Sequence, residues 1–158
     1  MDLIKKRVLL VCSAGGHLAQ ILELKEIREK YEYLIVTENV ETTISLVDNY
    51  NIQFIKPDAK GRSVKFYFNF IVNFIKCFNI LRSFRPDVII TTGSHTAVPM
   101  CILGKLFNKK IVWILSYARI NSKAKSANIV YFFADKFIVQ WESAKKLYPN
   151  AIYLGGIY

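Results

Sequence analysis

Arg7-Val8-Leu9-Leu10-Val11-Cys12-Ser13-Ala14-Gly15-Gly16-His17 is a short apolar run closed by a glycine pair and a histidine, with helical spacing beginning directly after it. The apolar run has the length and β-branched content of a strand buried on both faces, as in a parallel sheet. The glycines read as a tight turn, since a residue without Cβ accepts positive φ and lets another molecule approach the backbone. Leu18, Ile21, Leu22, Leu24 and Ile27 then recur at helical spacing up to Lys30. The N–H groups at the start of such a helix favour an anion. His17 would project into the same crevice, and imidazole ordinarily titrates near pH 6.5.

Outward from this unit, strands and helices alternate. Tyr33 to Thr37, Ile52 to Ile55, Val88 to Thr92, Lys110 to Leu115, Lys136 to Val139 and Ala151 to Leu154 read as strands. Val40 to Tyr50, Ala97 to Phe107, Ser122 to Ala134 and Glu142 to Leu147 read as helices between them, with Pro99 in a first turn where its missing N–H matters little. The fold class is therefore α/β, Rossmann-like, with a mainly parallel sheet flanked by helices. A second turn, Gly93-Ser94-His95-Thr96, repeats the order of strand, glycine and helix, so both turns are expected on the ligand side of the sheet.

In Ser63 to Phe84 apolar and aromatic residues predominate and leave little room for polar ones. Lys65, Asn69, Asn73, Lys76, Asn79 and Ser83 fall within about a third of the helix circumference, with Arg82 off that stripe, which leaves a wide apolar face. The stripe argues against a transmembrane span and for an amphipathic helix with one face on the core and one at a membrane surface. Phe68, Phe74, Phe78, Lys65 and Arg82 are the expected membrane residues, with Lys60, Arg62 and Arg85 adding attraction to an anionic leaflet. A helix buried between the sheet and a partner protein is the alternative.

The 158 residues, 53% hydrophobic, suit one domain over 1–158. Twenty-two Lys and Arg against 12 Asp and Glu give a net charge of +10, which calls for anionic partners. Aromatics clustered in an apolar helix, without a nucleic-acid module, exclude nucleic acid as the expected partner. Three scattered cysteines in apolar settings suit a reducing cytoplasm and offer no metal motif. The basic start Lys5-Lys6-Arg7 precedes an apolar run too short for a signal peptide. No GxGxxG, P-loop or GxSxG is present, and Glu38 is a weak substitute for the acid of a dinucleotide site, so no cofactor is expected.

Each candidate residue has two readings at this level. His17 is a general base, or it caps its turn. His95 binds an acceptor phosphate or satisfies backbone groups; Arg119 clamps a phosphate or carboxylate, or braces its own loop. Gln140, Trp141 and Glu142 form an interface hot spot, or the tryptophan packs under the final helix.

Four stretches carry a resemblance: Ser13-Ala14-Gly15-Gly16-His17-Leu18, Thr92-Gly93-Ser94-His95-Thr96-Ala97-Val98-Pro99, Ser116-Tyr117-Ala118-Arg119 and Phe137-Ile138-Val139-Gln140-Trp141-Glu142. In this order they resemble the membrane-anchoring, acceptor-side subunit of split UDP-sugar glycosyltransferases. The bacterial branch, of PssD/CpsF type, acts in capsule and exopolysaccharide synthesis; the eukaryotic branch serves the dolichol-linked chitobiose pathway. The resemblance implies the N-terminal half of a GT-B enzyme, acting with a donor-binding partner subunit that holds most of the UDP-sugar. It implies a polyprenyl-diphosphate-linked glycan acceptor, with His17 as the base and Gly15, Gly16, Gly93, Ser94, His95 and Arg119 around the acceptor. Gln140, Trp141, Glu142 and the terminal Tyr158 would face the partner. Family members commonly carry a glutamate where this chain has Leu115, which leaves a non-catalytic membrane scaffold as the alternative role. Eukaryotic members begin with a membrane helix; here recruitment to the cytoplasmic face of the membrane, as a peripheral protein, is expected to fall to Ser63–Phe84.

Overall fold

The run before the glycine pair forms β1 (Arg7–Cys12), and five of its six residues are buried, as a strand covered on both faces requires. The computed structural model describes residues 5–57 and 64–158, with Lys65 and Phe66 entering through their backbone alone. Along the chain follow α1 (Gly16–Glu23), α2 (Lys25–Lys30), β2 (Glu32–Glu38), α3 (Glu41–Ile44) and β3 (Ile52–Ile55). The second part runs through α4 (Val64–Phe84), β4 (Val88–Gly93), α5 (Val98–Leu106), β5 (Lys110–Ile114), α6 (Lys125–Tyr131), β6 (Lys136–Val139) and β7 (Ile152–Tyr153). Short 3-10 turns stand at Ser45–Asp48, His95–Ala97 and Glu142–Lys146.

The strands form one sheet in the order β3-β2-β1-β4-β5-β6-β7, and every neighbouring pair is parallel. Alternate side chains divide between two layers. Leu9, Val11, Ile89, Ile111, Trp113 and Phe137 meet α4, α5 and α6, whereas Val8, Leu10, Cys12, Ile35, Ile90 and Ile114 meet α1 and the segment after α3. The strand order reverses between β1 and β4. Ligands of open parallel sheets lie at such a switch point, beyond the C-terminal strand ends. All three cysteines are buried and unbridged, and burial pushes the Cys12 and Cys77 thiols up to about 12, which suits packing rather than reactivity.

Helical spacing over Leu18–Lys30 predicts one helix; the structure has two, hinged at Leu24. Arg28 supplies the reason, since its Nη1 donates to the Ile21 and Leu22 carbonyls at 3.2 and 2.8 Å and satisfies the end of α1.

The α4 helix needs a larger correction. Asn69 and Asn73, which the sequence places on the polar stripe, are 7% and 5% exposed. Asn73 Oδ1 accepts the Lys56 N–H at 2.7 Å and its Nδ2 donates to the Lys56 carbonyl at 2.9 Å, while Asn69 Nδ2 donates to the Pro57 carbonyl at 3.0 Å. These amides dock the helix against the chain leaving β3, so the exposed face is apolar: Tyr67, Phe68, Ile71 and Ile75 are each more than half exposed. Of the three phenylalanines expected at a membrane, Phe68 is exposed, but Phe74 and Phe78 pack on the core. Arg82 is exposed; Lys60 and Arg62 lie outside the described residues, as does the Lys65 side chain. Asn73→Ala strips two partners from the Lys56 peptide groups and is expected to lower stability by about 1–3 kcal/mol in urea unfolding. An unchanged midpoint would mean that water replaces the amide.

Candidate functional site

The switch point gathers four loops, those following β1, β2, β4 and β5. The β1–β4 register shifts between Val11 and Cys12, which pair with Thr91 and Gly93, so Thr92 is an extra residue in β4. A bulge of this kind re-aims backbone groups. Here it turns Thr92 towards His17: Thr92 Oγ1 donates to the His17 carbonyl at 2.8 Å, and His17 Nδ1 lies 2.8 Å from the Thr92 carbonyl oxygen. A carbonyl oxygen only accepts, so the neutral imidazole carries its proton on Nδ1 and keeps the Nε2 lone pair.

Burial is the main force on this imidazole and holds its pKa below the usual 6.5; the Thr92 carbonyl opposes that, Arg119 and His95 lower it and Glu38 raises it. His17 is therefore neutral at pH 7. Glu38, 8% exposed, accepts the Ala14 N–H at 3.1 Å and so ties the first glycine loop to the end of β2. Gly15 has φ +80, and nothing lies within 4 Å of a Cβ built on it or on Gly16, so the loop is open on that side. Gly15 carries no side-chain cap to the start of α1.

Gly93 is needed for a different reason. Its φ is +111, and a Cβ there would stand 3.2 Å from both His17 Cε1 and Trp113 Cζ2. A side chain at 93 would thus push the imidazole out of place. Ser94 also has positive φ, 87°, and its hydroxyl hydrogen-bonds that of Thr96. His95 is exposed on this loop. Arg119 is exposed on the loop after β5, where its Nη1 donates to Ser122 Oγ at 3.2 Å. Arg119, His95 and Glu38 all act on the His17 imidazole, and the arrangement offers a neutral base near the Arg119 guanidinium, with open space beside Gly15 and Gly16.

With this geometry in view, the family model for oligosaccharide biosynthesis proteins like Alg14 matches residues 8–157. The chain belongs to the Alg14-like family. The human UDP-N-acetylglucosamine transferase subunit ALG14 is 26% identical over 177 residues, covering 95% of this chain and 82% of that protein. The UDP-N-acetylglucosamine–N-acetylmuramyl-(pentapeptide) pyrophosphoryl-undecaprenol N-acetylglucosamine transferase of Caldicellulosiruptor saccharolyticus is 24% identical over 149 residues, 87% of this chain and 39% of the enzyme. The crystal structure of Acinetobacter baumannii MurG superposes with a TM-score of 0.78 at 14% identity, covering 96% of this chain and 45% of that one. The chain thus spans less than half of either of the last two proteins, and the structural likeness speaks to fold: the Alg14-like chain has the GT-B type of Rossmann fold.

Not every candidate of this Alg14-like chain meets at the crevice. Gln140, expected at a partner interface, is 3% exposed and internal. Its Nε2 donates to Gln20 Oε1 at 2.6 Å and to the Leu115 carbonyl at 2.9 Å, and its Oε1 accepts the Ile157 N–H at 2.9 Å. Gln20, 4% exposed, in turn donates to the Gly16 carbonyl at 3.1 Å and accepts the Tyr117 N–H at 3.0 Å. The amide pair links the glycine loop to the C-terminal segment. Trp141 donates to the Tyr117 carbonyl at 2.7 Å, and the Tyr117 ring meets Trp141 at a tilt and Tyr158 edge-on, with centroids 4.7 and 5.3 Å away. Glu142 and Tyr158 are exposed. Leu115 is 2% exposed within the core layer under α4 to α6.

Glu38, Thr92 and Gln20 were not singled out from sequence as parts of the site. Only Glu38, an acid closing an apolar strand, carries a local signal.

Proposed function

We propose that this chain is the acceptor-side subunit of a heteromeric, inverting UDP-sugar glycosyltransferase. The observation that carries the reading is His17 at the switch point, its Nδ1 proton held by the Thr92 carbonyl and its Nε2 free to take one. Nε2 removes the proton of the acceptor hydroxyl as that oxygen forms its bond to the anomeric carbon; the bond to UDP breaks on the opposite face, and UDP leaves with the electron pair. Gly15, Gly16, Gly93, Ser94, His95 and Arg119 hold a diphosphate-linked acceptor, in keeping with the pyrophosphoryl-undecaprenol in the name of the Caldicellulosiruptor relative. UDP-N-acetylglucosamine, printed in the name of the human relative, is the donor to test first, bound mainly by the partner subunit. The four motifs resemble those of the split UDP-sugar glycosyltransferase subunits as a family, and of its two branches we assign this chain to the PssD/CpsF type, with capsule or exopolysaccharide synthesis as the pathway.

Transferase activity of this chain, of the donor-binding partner and of the mixture tests the proposal. We expect the mixture to exceed either component by at least about a hundredfold, the lower end of the contribution of one general base. Robust activity in this chain alone would defeat the split-enzyme reading. Buried Leu115 in place of the family's common glutamate favours a second reading, a scaffold for a self-sufficient partner; that reading stands if concentrated partner alone reaches the rate of the mixture.

Recruitment to the cytoplasmic face of a membrane is assigned to the exposed face of α4. None of the described helices is long and apolar enough to cross a membrane. Phe68, Ile71 and Ile75 point outward, and the Lys56 ammonium stands 5.0 Å from the Phe68 ring centroid. Replacing these three apolar residues by serine removes roughly 1.5–3 kcal/mol of burial each, and vesicle flotation should fall by more than tenfold. Unchanged flotation of the folded triple variant would reject the assignment.

A further inference from the structure

At the opposite end of the sheet from the crevice, the C-terminal ends of α4 and α5 converge on an open cleft of about 260 Å³ lined by Leu81, Arg82, Arg85, Phe107 and Lys109. The volume is below the roughly 300–1,000 Å³ of pockets that enclose a whole drug-sized ligand, so it suits a headgroup whose remainder stays outside. Three of the five lining residues are cationic, and none is acidic. Among the described residues no ion pair is made by Arg82, Arg85 or Lys109, while the acids nearby are engaged: Asp135 with Lys105, Lys110 and the Ile111 N–H, Asp87 with the Arg7 N–H.

A cation in the last turn of a helix offsets the negative end of its own dipole. That accounts for one basic group per helix, not for three turned to one cleft, where like charges oppose one another until an anion enters. The cleft wall is also apolar. Arg82 stands 5.8 Å from the Phe78 ring centroid, Phe78 lies 5.8 Å from Phe107, and Leu106 beside it is 72% exposed. Phe107, after α5, is 44% exposed beside the half-buried Phe78 of α4, and Phe68, Ile71 and Ile75 are exposed towards the start of that helix, so a ligand in the cleft would have its charge among the cations and its apolar part along α4.

We propose that this cleft binds the phosphate headgroup of an anionic membrane lipid. The inference rests on the membrane-facing reading of α4 and adds a specific lipid site to it. It sets the orientation of the bound protein, with α4 lying along the surface and pinned at its C-terminal end.

The test uses the full chain and two kinds of vesicle, phosphatidylcholine alone and phosphatidylcholine with phosphatidylglycerol. We expect tighter binding to the anionic vesicles by about tenfold or more, on the scale of the attraction of three basic groups to such a surface. The variant Arg82→Gln/Arg85→Gln/Lys109→Gln should lose most of that preference. Lys125→Gln/Lys145→Gln/Lys146→Gln, which removes the same charge from exposed positions on other elements, should keep it. Circular dichroism checks that both variants are folded. Equal loss in the two triples overturns the site in favour of diffuse attraction. Equal binding of wild type to both vesicles overturns the cleft and leaves the α4 reading standing, whereas binding to neither overturns that reading and the lipid assignment with it. Monomeric dihexanoyl phosphatidic acid should bind wild type and not the cleft triple; inorganic phosphate binding as tightly, and lost in the same variant, would overturn the lipid as occupant.

Discussion

Replacing His17 by alanine is expected to lower turnover of the assembled enzyme by about 10²–10⁴-fold, the usual contribution of a general base, while assembly with the partner stays intact. The expectation rests on the tautomer. With Nδ1–H fixed on the Thr92 carbonyl at 2.8 Å, only Nε2 is left to accept a proton. His17→Asn separates chemistry from support, because its side-chain amide donates to Thr92 from about the place of Nδ1 and offers no base. Asparagine should therefore recover the stability lost in alanine and remain as inactive. Burial holds the His17 pKa below 6.5, so the base is free at neutrality and is lost as pH falls through that lowered value. The acid limb of kcat/KM should accordingly lie below pH 6.5 and vanish from the residual activity of the asparagine variant. Wild-type turnover in either variant would make His17 a structural residue.

That wager was legible from Gly15-Gly16-His17 because a strand, a glycine turn and a helix define a switch-point loop by local chemistry alone. The tautomer was not legible, since it depends on the extra residue Thr92 in β4, a property of register between strands about 80 positions apart. Strands such as Arg7–Cys12 and Lys136–Val139 fall where the apolar runs place them, because two-sided burial writes itself into composition. An amide side chain in an apolar segment does not tell from sequence which backbone or side-chain group will be its partner. Asn69 and Asn73 sit on the inner side of α4 because the peptide groups at 56 and 57 need partners there. Gln140 looked like part of an interface beside Trp141 and Glu142, yet its partner is Gln20, 120 positions away. Nor does periodicity expose the hinge at Leu24, an apolar residue that continues the helical pattern until Arg28 reaches back to the ends of α1.

Gln140→Leu should destabilise the protein by about 2–4 kcal/mol, and Gln140→Glu by more. The backbone fixes both amides. The Gly16 carbonyl can only accept and the Tyr117 N–H can only donate, so Gln20 must direct Nε2 to the first and Oε1 to the second. Gln140 must then present Nε2 to Gln20 Oε1 and the Leu115 carbonyl, and Oε1 to the Ile157 N–H. Leucine at 140 keeps much of the volume but strands buried polar groups, each worth about 1–3 kcal/mol unless water reaches it. Water can reach Ile157, so the C-terminal segment should come away and Tyr158 lose its edge contact with Tyr117, which hydrogen exchange at Ile157 would register. Glutamate turns an acceptor against two acceptors in a site 3% exposed and is forced towards its protonated form. Gln20→Glu keeps both bonds that Gln20 accepts and loses those it donates, so it should be the mildest of the three. Urea unfolding decides the ranking: if Gln140→Glu matches wild type, the amide pair does not bind the glycine loop to the C-terminal segment.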